Sequence, residues 1–530
     1  MLETSIISYL GIAGLLAHGA AATAFSWFPK IPKVWSARIS GLSLSFFMLA
    51  ILGAMFRSTM ASRPVVGFPV FMPFAADNLA LAFSALVAFL AVIVFKFSNH
   101  YLDGNSAEKR FYVWGHTTIF GVLCMALAVN LGFFLLSWLL VSYGLHKLLT
   151  LHPGRKAAQT AAWAKFWVSR IGDLSLFAGA ALIFAEIKSL DFVAIKIFAE
   201  SMGSSQAAGL HWSMNGAALL ITMGAMIKSA QVPFHFWLPE ALETPAPVSA
   251  LMHAGVINGG GYLLIRMFDF VNMSTWSIQA MAAIGTVSIV ICSLSLMATP
   301  DFKRQMAFST SAQLGFMFCQ IAIGVPAAAL AHMIGHALYK AHAFLSSGGL
   351  PLNLPSTRRE IPIGKLVKWR AMGSMLLLAI LGIAPIIVWA FSTLAPNLAT
   401  ILSLNPIRNI VSVAIIGIAL ISTLQLTNLF KRKEILAGTW QLAGIVLGAV
   451  FMMIFVTSGS EWIVAETGRV NTAQLGVFWA SLMTSGIAFV AAAPDLFKFL
   501  PPRIRLIVFT HARSGFYFWN LAANLKLRQP

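Results

Sequence analysis

The sequence predicts an all-α polytopic membrane protein of about fourteen or fifteen transmembrane helices, two of them broken and related as inverted repeats. Three observations predict it. Hydrophobic residues make up 58% of the chain and charged residues 10%, where a soluble domain carries roughly 25% charged residues. Apolar runs of about 20 residues, each able to cross roughly 30 Å of hydrocarbon, follow one another from end to end. Basic residues gather in alternate loops, as they do where charge sets orientation in a membrane.

The first run, Ile6–Trp27, follows Met1-Leu-Glu-Thr4, which lacks the positive n-region of a cleaved signal peptide, so it reads as a retained helix. Further spans are Leu79–Phe97, Phe166–Ala185, Met214–Ala230, Thr310–Ile323, Met372–Phe391, Val411–Leu429 and Leu436–Thr457. No long polar linker divides them, so residues 1–500 read as one transmembrane domain. Residues 501–530 are too polar to span. They mix cations with Phe516, Tyr517, Phe518 and Trp519 and read as an interfacial tail. Cys124, Cys292 and Cys319 stand singly in apolar runs, without metal, iron–sulfur or disulfide spacing.

The net charge of +19 invites a nucleic-acid reading, but its distribution argues for topology. One set of alternate loops holds roughly 23 cations, among them Lys30, Lys33, Lys109, Arg110, Arg155, Lys156, Lys303, Arg304 and Lys431, and the other about six. The rich face is expected to be cytoplasmic, with the N-terminus periplasmic and the tail cytoplasmic, in a bacterial inner membrane.

Polar segments that interrupt the apolar runs mark the places where chemistry is expected. Asp77-Asn78 opens a helix, and Arg170-Ile-Gly-Asp173 lies inside another. Lys228-Ser-Ala-Gln-Val-Pro233 cuts a third, and Glu240 to Pro247 forms a hinge leading to His253. Asp301-Phe-Lys-Arg304 makes a short turn, and His332, His336 and Lys340 form a stripe at four-residue spacing. Gly382-Ile-Ala-Pro385 supplies a second proline break, and paired breaks point to a transport site near the midplane.

An ionised lysine in hydrocarbon costs a few kcal/mol or more, so Lys228 is a candidate to exchange its proton with neighbours. Pro233 frees carbonyls one turn back to line a hydrated cavity. The plainer reading of Lys228 is a lysine snorkelling from a helix end to the interface. The two histidines of the stripe, with His253 facing them, suit a proton relay, since imidazole both donates and accepts near neutral pH. Structural hydrogen bonding is the plain alternative. Metal or haem ligation is disfavoured, because no third ligand accompanies them and two histidines on one helix face cannot flank a haem. Arg170 and Asp173, three apart, form either a structural ion pair or part of the path. No nucleotide loop, catalytic Ser/His/Asp set or cysteine cluster supports an enzyme.

The segment Lys228 to Ala254, with Arg170 to Asp173, Asp301 to Thr310 and His332 to Lys340, resembles the antiporter-like subunits of respiratory complex I and Mrp antiporters over roughly residues 75–395. The resemblance implies that Lys228 and Lys340 are axis lysines and that His253, His332 and His336 are relay residues. Two departures stand out. The family's fifth-helix glutamate, partner of the axis lysine, is replaced at Leu139, which leaves Asp173, Glu240 or His146 as candidate charge partners of Lys228. The run after Pro385 also lacks the family's later lysine or glutamate, and the sequence stops without the long lateral helix of the complex I subunit. Among short, divergent members, the chain resembles DabB subunits of DAB inorganic carbon accumulation systems. That resemblance implies a cytoplasmic DabA-like partner resembling a zinc β-carbonic anhydrase, with zinc and CO2 hydration in the partner and no cofactor in this chain. The expectation is therefore an ion-conducting subunit of a carbon-uptake complex. The alternatives are a pumping subunit of a complex I-like or hydrogenase assembly, and a cation/proton antiporter subunit.

Overall fold

The computed structural model describes residues 2–28, 31–60, 74, 76–206, 212–347 and 502–518. Their secondary structure is helical, joined by turns. No strand occurs among the described residues, only isolated bridges pairing Phe74 with Ala128 and Asn130 with Asp191. The predicted spans Met372–Phe391, Val411–Leu429 and Leu436–Thr457, the break at Gly382–Pro385, and Trp519 lie outside the described residues.

The first six helices are α1 (Leu2–Trp27), α2 (Val34–Met60), α3 (Asn78–Tyr101), α4 (Glu108–Ala126), α5 (Leu131–Leu149) and α6 (Lys156–Ile187). Then come α7 (Phe192–Gln206), α8 (Trp212–Lys228), the short α9 (Ala246–Ala250), α10 (Gly259–Arg266) and α11 (Phe268–Asn272). The series continues with α12 (Thr275–Ala298), α13 (Phe302–Ala322), α14 (Pro326–Ser347) and α15 (Pro502–Arg513). Seven of the described spans are long and apolar enough to cross a membrane. The chain is a multi-pass membrane protein.

Polar residues at the starts of these helices answer the free N–H groups of their first turns. Asp77 Oδ1 accepts from Ala80 N at 2.8 Å, Asn130 Oδ1 from Phe133 N at 2.7 Å and Asp301 Oδ1 from Arg304 N at 2.8 Å. Asp77 has a second duty, because its Oδ2 lies 2.5 Å from the Arg266 guanidinium and so ties α3 to α10.

Neighbours in sequence pack as antiparallel pairs: α1 on α2, α2 on α3, α4 on α5 and α12 on α13. The pair that matters most here is α6 with α8, which approach through glycine. A Cβ on Gly224 would lie 2.5 Å from Leu176 Cγ and 2.9 Å from Gly172 O, so no larger residue fits without moving a helix. A Cβ on Gly260 of α10 would collide with Ser229 Oγ and Ala225 O, which places α10 backbone against α8 backbone.

Two polar clusters were not foreseen. His18 Nδ1 and His116 Nδ1 lie 2.9 Å apart inside the α1–α4 contact, and His116 Nε2 meets Ser36 Oγ at 2.6 Å. Outside the spans, Lys33 binds Asp103 at 2.5 Å and lies 3.3 Å from Glu108. The Asp103 hydrogen bond raises the Lys33 pKa, and Lys33 in turn holds the Asp103 carboxyl below its ordinary value. In the tail, α15 packs on α12, and the Phe518 ring lies 5.1 Å from His235.

Candidate ion path

Helix α8 stops at Lys228, and the chain leaves it through turns before α9 begins at Ala246. The break is stitched by side chains. Gln231 Nε2 donates to Ser229 O and to Ser311 O at 3.1 Å each, Ser288 Oγ accepts from Val232 N at 3.0 Å, and Ser229 Oγ donates to Ile257 O at 3.2 Å. From Ala246 the chain re-enters the bundle as a single irregular helix to Arg266, with a π turn at Leu251–Gly255 that carries His253.

The first group of polar residues forms around the break. The Lys228 ammonium forms a salt bridge with Asp173 Oδ1 of α6, and Arg170 NH2 lies 2.6 Å from Asp173 Oδ2. One carboxylate thus serves two cations. The Lys228 side chain is 3% exposed and that of Asp173 10%, so this pair is shut away from water. Its ammonium also lies 4.4 Å from the Trp138 ring centroid, a cation–π contact. The lysine stem runs against Gly172, where a Cβ would come within 2.7 Å of Lys228 Cγ.

Two candidate partners of Lys228 fall away. Glu240 is held by Arg304, so its charge is already answered across the hinge. His146 faces aromatic rings, with centroids 5.3 Å from Trp163 and 5.9 Å from Phe166. The sequence reading paired Arg170 and Asp173 with each other. The structure adds Lys228 to the same carboxylate, because α6 and α8 meet through glycine.

The second group lies between the π turn, α13 and α14. His253 Nδ1 meets Thr310 Oγ1 at 3.0 Å, and its ring stacks on Phe344 at 4.3 Å. Lys340 is fully buried and donates to Met306 O at 3.0 Å. His332 lies between Gln313 Oε1 at 2.6 Å and Gln320 Oε1 at 3.2 Å. His336 is buried with both ring nitrogens lacking a protein partner. Gln231 links the groups in space: it sits three residues past Lys228 and binds Ser311 O, next to the Thr310 that meets His253.

Sequence reasoning missed Lys165. The predicted span began at Phe166, which left Lys165 as an end residue, whereas α6 begins at Lys156 and buries Lys165 nine residues in. The signal available was its spacing: Lys165, Ser169 and Asp173 recur every four residues on one face. No group of three or more metal-ligating side chains occurs among the described residues.

Residues 128–424 match the family NADH:quinone oxidoreductase/Mrp antiporter, transmembrane. The chain belongs to that family. It is 31% identical over 464 residues to "Probable inorganic carbon transporter subunit DabB2" of Halothiobacillus neapolitanus, covering 85% of this chain and 79% of that protein. It is 34% identical over 273 residues to "Probable inorganic carbon transporter subunit DabB" of Hydrogenovibrio crunogenus, covering 51% of this chain and 52% of that one. The fold is shared with a chain of the Mrp complex from Dietzia sp. DQ12-45-1b, at TM-score 0.57 and 21% identity over 97% of this chain and 56% of that one. It is also shared with a chain of the archaeal membrane-bound sulfane sulfur reductase, at TM-score 0.58 and 15% identity over 98% and 96%. This family member's relatives are thus membrane subunits of multi-subunit complexes.

Proposed function

We propose that the chain is the proton-conducting membrane subunit of an energy-coupled inorganic carbon uptake complex. The observation that carries the conduction reading is the buried Lys228–Asp173 pair at the end of a broken helix. Intramembrane ion pairs of this kind mark ion paths, because their burial is costly and needs a use. In this reading the path runs from Lys228, Asp173 and Arg170 to His253, His332, His336 and Lys340. Arg170 keeps Asp173 compensated when Lys228 gives up its proton, so the carboxylate need never be stranded.

The carbon-uptake part of the reading is supported by similarity to the two DabB-type relatives. The partner proposed is a DabA-like, zinc-containing subunit resembling a carbonic anhydrase, docked on the basic cytoplasmic face, with hydration of CO2 occurring there. The basic loops support a periplasmic N-terminus and a cytoplasmic tail in a bacterial inner membrane. Purification of the tagged chain should bring down one large zinc-containing protein. Recovery of iron–sulfur, quinone-reducing subunits instead would replace this reading with a respiratory one. Lys228→Ala should abolish growth at ambient CO2 of a carbonic-anhydrase-deficient host carrying the complex, with membrane assembly unchanged. Wild-type growth of that strain would remove Lys228 from the path.

A further inference from the structure

Lys165 is a buried cation whose hydrogen-bond partners are neutral. Its Nζ donates to Ser142 O at 2.8 Å and lies 2.9 Å from Ser142 Oγ, which in turn is 2.8 Å from Ser169 Oγ. The residue is 6% exposed, and no carboxylate pairs with it among the described residues. Lys228, by contrast, is matched to Asp173. Both lysines line one cavity of ≈ 20 Å³ between α5, α6 and α8, together with Ser142, Ser169, Trp138 and Trp237.

The plain account of Lys165 is an anchor tying α6 to the Ser142 carbonyl. That account is incomplete, because a permanently charged amine with neutral partners leaves a buried charge uncompensated. The surrounding oxygens satisfy either protonation state. When charged, Lys165 donates to both Ser142 oxygens, and the Ser142 hydroxyl turns toward Ser169. When neutral, it donates to the Ser142 carbonyl and receives the Ser142 hydroxyl proton on its lone pair, while Ser169 donates to Ser142. Two hydroxyl rotations therefore accompany gain or loss of the proton.

We infer that Lys165 is a second proton-binding station of the ion path, exchanging with Lys228 across their shared cavity. The inference rests on the reading that conduction passes through Lys228. Lys165 lies eight residues before Asp173 on α6, about 12 Å toward the helix end that opens at Lys156. One turn from Ser142 toward the same end, His146 has a buried Nδ1 without a partner. Protons leaving by that basic end pass from the Lys228–Asp173 pair to Lys165, then to His146. In the exchange, an N–H bond of the Lys228 ammonium breaks and a bridging water takes the proton. The water releases another proton, which forms an N–H bond at Lys165. Charge moves, no electrons transfer, and Arg170 holds Asp173. A cavity of this polarity and size accommodates such a water. The indole Nε1 of Trp237, a cavity-lining residue, is a buried donor without a protein partner.

The test uses the full chain with its co-purifying partners in vesicles, with proton influx driven by a potassium diffusion potential and read by an internal pH dye. Lys165→Met should reduce influx to the protein-free background. Lys165→Arg should do the same, because guanidinium keeps the charge and does not release its proton. Ser142→Ala keeps the carbonyl and removes the switching hydroxyl, and should slow influx about fivefold with an unchanged gel-filtration profile. Wild-type influx in Lys165→Arg would overturn the inference and leave Lys165 a fixed positive charge. So would wild-type influx in Ser142→Ala, which keeps the question decidable if the Lys165 variants fail to assemble. Lys228→Met separates the two levels: its loss of influx beside intact Lys165 variants sinks only this inference, whereas its retention sinks the conduction reading and this inference with it.

Discussion

Replacing Asp173 by Asn removes a charge and almost no volume, so its consequence is electrostatic. At a contact distance of about 3 Å and an effective dielectric of about 20, the attraction between Lys228 and Asp173 is about 5 kcal/mol, offset in large part by desolvation of both groups. Breaking one side of such a buried pair costs about 3–5 kcal/mol, because the other charge is left in place. Arg170, midway along the same membrane span, loses its carboxylate partner as well and does not lower this cost. Asp173→Asn should therefore destabilise the chain by about 3 kcal/mol or more, and Asp173→Asn with Lys228→Met by much less than the sum of the single changes. The resulting coupling should be about 1–3 kcal/mol, measured by reversible unfolding of the detergent-solubilised chain across the four-member cycle. Additive effects, with coupling near zero, would refute the argument that the two side chains depend on each other.

Three further outcomes follow from the geometry. Gly224→Ala should push α6 from α8, destabilise by about 1–3 kcal/mol and lower proton influx, since the added methyl meets Leu176 and the Gly172 carbonyl. A variant with unchanged influx and stability would show that the contact relaxes freely. Asp77→Ala should cost about 3–5 kcal/mol from stranding Arg266, plus about 1 kcal/mol for the lost cap, whereas Asp77→Asn keeps the cap; thermal unfolding separates the two. At the exposed Lys33–Asp103 pair, the Asp103 pKa is depressed. Its stabilisation is therefore present above the unfolded carboxylate value and lost as pH falls through the lower folded value, so a modest stability gap between wild type and Asp103→Asn should close in strong acid. A gap that persists there would contradict the sign.

Hydropathy made the early spans legible, because hydrocarbon admits only long apolar helices. The cap at Asp77 was visible as a polar residue opening a helix, and the break after Lys228 through Pro233, whereas Asp301 read only as part of a turn and proved to cap α13. The partner of Lys228 was left open among three residues, and only the close approach of α6 to α8 selects Asp173. That approach depends on glycines whose meaning emerges in three dimensions. Lys165 escaped because a lysine beside an apolar run reads as an interfacial anchor. Its burial comes from α5 and α8 packing around it, and no local pattern encodes that. The division of Ala246–Arg266 into a short helix, a π turn and a second helix was likewise invisible, since its composition is that of one ordinary span.

The clamp of Gly260 against Ala225 and Ser229 bears on tempo. With backbone seated on backbone, α8 and α10 cannot slide apart without losing that contact, so the point from which Lys228 projects is stationary. In the proposed path, movement of a proton there falls to the swing of a four-carbon stem and the turning of hydroxyls, local events that need none of the collective helix motion of microseconds to milliseconds. Turnover in such a site is paced by whatever loads and unloads it, and a partner protein that controls access at the basic end can set the rate without deforming the path.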